Sequence, residues 1–154
     1  MDSLFWVNVL SRWLHVLSAV IVVGGIVFLG LALLPAMAGQ EALVRQAVMG
    51  PVVRRFKILV HSAIGLLLLT GTYNMLVALP KVRALTYHSF YQSILGTKIL
   101  LALILFGIAL PVLSSPPAFG NIQESRRRWV TVLVVLGLVI LLFSAILRRL
   151  WDFQ

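Results

Sequence analysis

Four long apolar runs separated by short polar segments dominate this chain of 154 residues. A helix needs about 20 mainly apolar residues to cross ~30 Å of hydrocarbon, and each run meets that length. The runs predict transmembrane helices at Leu4–Ala36, Phe56–Leu79, Ser93–Leu113 and Trp129–Leu147. We therefore predict an all-α fold, an integral membrane four-helix bundle, with residues 1–154 forming one transmembrane domain.

Glycine and proline predict where the first two helices end and begin. Pro35, Ala38 and Gly39 close the first helix, and Glu41–Met49 is predicted as a short interfacial helix. Gly50 and Pro51 then predict a break before the second helix, and Pro80 predicts its end.

Composition supports the membrane assignment, since 61% of the residues are hydrophobic and only 11% are charged. The absence of cysteine excludes thiolate metal sites, iron–sulfur clusters and covalently attached haem. The formal net charge is +9, but the basic residues lie mainly in loops and at helix ends. That placement is typical of membrane anchoring, so nucleic acid is rejected as a partner.

The distribution of lysine and arginine gives an expected orientation in a bacterial inner membrane. With Arg12 and Lys98 set aside as residues inside the bundle, seven basic residues lie on the side of loops one and three, against four on the other side: Arg45, Arg54, Arg55, Lys57, Arg126, Arg127 and Arg128 against Lys81, Arg83, Arg148 and Arg149. This excess favours loops one and three in the cytoplasm and both termini outside. The first apolar run is too long for a cleaved signal peptide and contains Arg12, so we expect a retained helix.

Three ionisable residues stand out within the apolar runs: His15, His61 and Lys98. Such residues are costly in a bilayer, and they usually face the bundle interior and serve a site. His15 belongs to a polar stripe with helical spacing, which we expect to face other helices and which comprises Asn8, Ser11, Arg12, His15 and Ser18. The alternative is a packing stripe without a ligand.

Imidazole is the usual protein ligand for haem iron or a transition metal where cysteine is absent. Arg12 lies one turn before His15 and suits a haem propionate, or else extends to the membrane surface. Near His61, Gly65 makes room for a flat ligand or for close helix packing. Arg54 and Arg55 suit propionates or phospholipid head groups.

His15 and His61 are predicted to lie at different depths. Helix one and helix two run in opposite directions, and their positions give an axial offset of roughly 15 Å. Two axial ligands of one iron lie only about 4 Å apart, since metal–imidazole bonds are about 2 Å long. Two separate sites, and hence two haems, therefore fit better than one shared iron.

The site on the side of the termini would combine His15 with His88 and Lys98. His88 is either a further metal ligand or a solvated loop histidine. Lys98 is either a catalytic group that binds a carboxylate or transfers a proton, or an anchor at the interface. Met37, Met49 and Met75 form no close pair that would suggest a copper(I) site, and packing explains them as well.

Three segments together resemble one family. They are Trp13-Leu14-His15 followed by Gly24-Gly25, Arg55-Phe56 leading to Leu69-Thr70-Gly71, and Gly96-Thr97-Lys98. This pattern resembles the membrane domain of the copper-resistance protein D family and, more distantly, the HemJ-type protoporphyrinogen oxidases. The first resemblance implies copper passage across the inner membrane. The second implies haem b and porphyrin oxidation, with the essential histidine and lysine at His15 and Lys98.

Three hypotheses for function follow. The first is a haem b protein for electron transfer or porphyrin oxidation, with a porphyrin or redox partner in the membrane. Its haem ligands are His15 and His61, and its propionate partners are Arg12, Arg54 and Arg55. The second is copper transport or resistance, with His15 and His88 as ligands. The third is a structural subunit of a homo-oligomer or membrane complex.

Overall fold

Four long helices form the described part of this chain in a computed structural model, which describes residues 3–83, 88–114 and 122–152. Helix α1 spans Ser3–Ala38, α2 spans Ala42–Arg83, α3 spans His88–Ser114 and α4 spans Ile122–Asp152. No strand occurs among these residues. The predicted all-α class is confirmed.

Helix α1 contains a short π-helical turn at Leu29–Leu33, after which it continues to Ala38. There the Leu34 amide donates to the Leu29 carbonyl, five residues back. This wider turn lies just before Pro35, whose ring would clash with a carbonyl in a regular helix and which has no amide hydrogen. Helix α1 runs through Pro35 and ends at Ala38, with Gly39 as its C-cap. The predicted closure is therefore confirmed at Ala38 and Gly39 and wrong at Pro35.

Helix α2 runs without a break through both Pro51 and Pro80 to Arg83, so the predicted interruption at Gly50 and Pro51 and the predicted end at Pro80 are wrong. Glu41–Met49 is likewise not a separate interfacial helix, because α2 already begins at Ala42. Proline removes only one backbone hydrogen bond, and its fixed φ is compatible with a helix. The adjoining turns therefore keep α2 continuous at a cost of about 3 kcal/mol.

The helices are longer than the apolar runs that predict them. Helix α3 begins at His88 instead of Ser93, and α4 begins at Ile122 instead of Trp129. Polar residues continue each helix beyond the hydrocarbon, where water can satisfy their side chains. Among the side chains counted for orientation, those of Lys81, Arg83, Arg126 and Arg127 lie outside the described set.

Each helix packs against its neighbours in the chain, and α1 also packs against α4, which closes the bundle. The core between them is formed by Val22 and Ile26 of α1, Val60 of α2, Leu105 of α3 and Leu133 of α4. Close approach also depends on small residues. A side chain at Gly25 would meet the ring of Phe56, and one at Gly137 would meet Val23.

The outer surface of the bundle is apolar along its length. Leu69, Leu100 and Leu142 are more than half exposed, on α2, α3 and α4 respectively. Four helices are long and apolar enough to cross a membrane. Exposed leucine over such a length is favourable only against lipid. The protein is therefore an integral membrane protein whose outer face contacts lipid.

Candidate functional site

Polar residues at one end of the bundle join α1 to α2. We call this group the polar seam, and it comprises Asn8, Ser11 and His15 on α1 with Thr70, Tyr73 and Asn74 on α2. Because the two helices are antiparallel, residues of increasing number along α1 lie beside residues of decreasing number along α2. The seam lies near the start of α1 and the end of α2, on the side of the chain termini.

Two hydrogen bonds form the outer part of the polar seam. The Tyr73 hydroxyl donates to Asn8 Oδ1 at 3.0 Å, and the Ser11 hydroxyl donates to Asn74 Oδ1 at 3.2 Å. All four side chains are half-buried. In hydrocarbon these polar groups would lack partners, so pairing across the helices fixes the register of α1 against α2.

His15 forms the inner end of the polar seam. Its Nδ1 lies 3.0 Å from Thr70 Oγ1, and the ring is half-buried. Gly71 makes room for the ring, because a Cβ there would lie 3.1 Å from His15 Cε1. The Nδ1–Cε1 edge of the imidazole therefore faces the backbone of α2.

The hydrogen bonds of Thr70 determine which nitrogen of His15 carries a proton. The Thr70 hydroxyl donates its only hydrogen to the Leu66 carbonyl. It can then only accept from His15, so Nδ1–H is the donor. In the neutral ring Nε2 then carries the lone pair, which is the form that binds a metal or accepts a proton.

Two cationic residues and a tyrosine lie around this end of the bundle. Lys98 of α3 is half-buried and acts electrostatically on His15. Arg12 of α1 is exposed and acts electrostatically on Tyr91, in the first turns of α3. The structure thus brings His15 and Lys98 to the same region, while Arg12 lies towards the outside and α3.

His61 has different surroundings from His15. Its side chain is exposed on the outer face of α2, and its Nδ1–H donates to the Lys57 carbonyl at 2.7 Å. The expectation that an ionisable residue in a span faces the interior is therefore wrong for His61. The hydrogen bond to the Lys57 carbonyl satisfies one ring nitrogen without any partner helix, which lowers the cost of exposing the ring on the outer face of α2.

The two histidines do not meet. His15 lies beside Thr70 and Gly71, nine and ten residues after His61 on α2, which is about 14 Å along the axis. This separation agrees with the offset of roughly 15 Å predicted from the sequence. His61 shares its end of α2 with Arg54 and Arg55, which are both exposed.

His88 is the first residue of α3 and is exposed. It precedes Lys98 by ten residues, or about 15 Å along the helix. Within residues 3–83, 88–114 and 122–152, no three histidine, aspartate or glutamate side chains form a cluster that could hold a metal ion.

Thr70, Tyr73 and Asn74 were not singled out as site residues by the sequence alone. Their signal is a spacing of three and four residues at the polar end of α2, which places them along one face. The polar stripe of α1, which includes Asn8, Ser11 and His15, has the same spacing and faces this stripe of α2. Aligning the two stripes in antiparallel order would have predicted the polar seam. It would also have predicted Thr70 as the side chain that fixes the His15 tautomer.

These features define a class of protein: a four-helix integral membrane protein with an intramembrane histidine in a polar seam. The profile of the copper resistance protein D family matches residues 50–147, which is more than half of the chain. The chain belongs to that family. The match covers most of α2, all of α3 and most of α4, including Thr70 and Lys98, whereas His15 precedes it. No curated protein and no solved structure matches the chain.

Proposed function

We propose that this protein passes copper into or across the membrane, and that Nε2 of His15 contacts the ion on its way. The observation that carries the proposal is the hydrogen-bond chain from His15 through Thr70 to the Leu66 carbonyl. It holds the imidazole in the form in which Nε2 has a lone pair. Membership of a copper-resistance family makes copper the expected ion.

Copper is proposed as cargo and not as a resident ion. Among the described residues no three histidine, aspartate or glutamate side chains form a cluster, so they offer copper no tight chelate of that kind. A single imidazole gives a weak contact, and a transported ion needs sites that it can leave. A protonated Lys98 near His15 would oppose a bound cation and so favour its release.

The expected location is the inner membrane of a bacterium, with both termini outside and loops one and three in the cytoplasm. In that orientation the polar seam lies near the outer face. Copper would meet His15 early on its way inwards. The excess of basic residues on the side of loops one and three supports this direction.

Copper accumulation in bacterial cells tests the proposal. Cells that lack copper-resistance D proteins are compared with and without this protein, and with the variants His15→Ala and His61→Ala. We expect the protein to change cell copper and copper tolerance, His15→Ala to remove the change and His61→Ala to retain it. Unchanged copper content with the wild-type protein at normal membrane levels would refute copper handling.

A second candidate is binding of haem b, which the cationic surroundings of His15 favour. Lys98 and Arg12 suit the carboxylates of an anionic porphyrin better than they suit a metal cation. In this reading His15 would be an axial ligand and Lys98 a catalytic group. His61, with Arg54 and Arg55, would form a second site at the lipid-exposed surface of α2. Haem would supply one-electron chemistry when bound.

The visible spectrum of the detergent-purified protein, oxidised and then reduced, distinguishes the two candidates. A b-type haem spectrum that His15→Ala removes would support the second candidate, and a haemochrome assay would give one or two haems per chain. Protein that stays free of haem after expression with ample haem would eliminate it. If neither copper nor haem depends on His15, the polar seam is purely structural.

A further inference from the structure

A groove runs along the lipid-facing side of the α1–α2 pair. Its volume is about 470 Å³, and its lining is almost entirely apolar. Small side chains form its floor, since Ser18 and Ala63 are only 2% and 3% exposed. Larger, exposed side chains form its walls, among them Leu17, Ile58 and Leu59. The groove is thus a surface cleft whose walls are flexible leucine and isoleucine side chains.

The length of the groove matches one leaflet of a bilayer. On α2 its lining extends from Arg55 to Leu66, which is eleven residues or about 16 Å along the helix. Half of a hydrocarbon core ~30 Å thick is about 15 Å. A single extended acyl chain would therefore fill the groove from the membrane surface to the midplane.

The surface end of the groove is positively charged. Arg55 is the one charged side chain among the residues that line it, and Arg54 and Lys57 are its close neighbours on α2. The nearest acidic residue along α2 and its preceding turn is Glu41, fourteen residues before Arg55. Guanidinium groups bind phosphate with paired hydrogen bonds, and an anionic lipid adds a favourable net charge.

We propose that this groove binds one anionic phospholipid, with its phosphate on Arg55 and one acyl chain along the floor formed by Ser18 and Ala63. The site is separate from the polar seam and does not depend on copper handling. The bound lipid would cover the small residues where α1 meets α2 and fill space that a rigid helix surface leaves open. It would therefore stabilise the α1–α2 pair.

A second copy of this chain is a less suitable occupant. Copies inserted in one membrane share one orientation, so a two-fold axis between them is perpendicular to the membrane. A symmetric dimer through this groove would place the Arg54, Arg55 and Lys57 group of each copy at the same depth and close together. Like charges at that distance oppose the contact.

Lipid retention measured by native mass spectrometry tests the proposal. The protein is taken from nanodiscs with equal phosphatidylglycerol and phosphatidylcholine, and the variants are Arg55→Gln, Ser62→Phe and the neighbouring control Arg54→Gln. We expect wild-type protein to retain one phosphatidylglycerol. Arg55→Gln should reduce retention by at least about tenfold, since it removes charge-assisted hydrogen bonds to the phosphate as well as a charge. Arg54→Gln removes only a nearby charge and should reduce retention by no more than about fivefold.

Ser62→Phe separates the groove from general surface charge. Ser62 is exposed and lines the groove, so a phenyl ring there fills the groove while Arg55 keeps its charge and the fold has no reason to fail. We expect it to lower retention as strongly as Arg55→Gln. Equal losses in Arg54→Gln and Arg55→Gln, unchanged retention in Ser62→Phe, preference for phosphatidylcholine, or a dimer without lipid would each overturn the proposal.

Discussion

His15 and His61 are the same residue type in neighbouring transmembrane helices, yet their surroundings differ in every respect that concerns chemistry. His15 is half-buried, bonds to a side chain of another helix and lies in electrostatic reach of Lys98. His61 is exposed and bonds to the backbone of its own helix. We therefore expect the site at His15, where a second helix supplies the hydrogen-bond partner.

The residues around each histidine, beyond its own hydrogen-bond partner, also differ. Two more interhelical bonds, from Tyr73 to Asn8 and from Ser11 to Asn74, hold the helices together beside His15. Around His61 the described contacts are local, and Gly65, one turn later, has open space where a side chain would lie. The His15 end is rigid and specified by several residues, whereas the His61 end can tolerate change.

Exchanging each histidine for alanine gives the largest expected difference. His15→Ala should abolish the copper-dependent change in cell copper, because it removes Nε2, and His61→Ala should leave it intact. Cell copper measured by mass spectrometry, at matched protein levels in the membrane, is the readout. Equal effects of the two variants would remove the contrast between the two ends of the bundle.

Thr70→Val should weaken copper-dependent activity by about 10- to 100-fold, the range seen when a partner that orients a metal-binding histidine is lost. Thr70→Ser keeps the hydroxyl and should retain most activity. Nitrogen NMR of labelled histidine reports the tautomer directly, independent of transport. His15 protonated at Nε2 in the wild-type protein would contradict the assignment.

Gly71→Ala should destabilise the protein by about 1–3 kcal/mol, the usual cost of overpacking, since its Cβ would meet His15 Cε1 at 3.1 Å. Gly65→Ala is the matched control on the same helix, where a Cβ meets nothing within 4 Å. That variant should be neutral or slightly stabilising, because alanine favours helix over glycine. Thermal unfolding in detergent measures both, and a harmless Gly71→Ala would show that the ring does not lie there.

Tyr73→Phe should have the smallest effect, about 0.6 kcal/mol, the average for hydrogen bonds between helices in membranes. It removes the hydroxyl that donates to Asn8. Thr72→Val is the control, because the Thr72 hydroxyl bonds only the Leu68 carbonyl within its own helix and its side chain is exposed. The free energy of unfolding of both variants is measured in detergent. Equal changes in the two variants would show that the outer part of the polar seam contributes little to stability.

The fold was largely predictable from the sequence, and the site was predictable in part. Apolar length identified the four spans, because hydrocarbon thickness fixes how long a helix must be. Helical spacing identified the stripe that contains Ser11 and His15. The continuity of α2 through Pro51 was not predictable, because a local rule for proline cannot weigh one lost hydrogen bond against the packing of the adjoining turns.

The sequence by itself determined the all-α membrane class, the number of spans and the axial separation of His15 from His61, since these follow from apolar length and from the rise per residue of a helix. Only the tertiary structure decided that His15 meets Thr70 while His61 faces outwards, and that Thr70 leaves Nε2 of His15 with the lone pair. The physical reason is rotation about the helix axis. Packing against neighbouring helices sets that rotation, and a single stripe of residues does not.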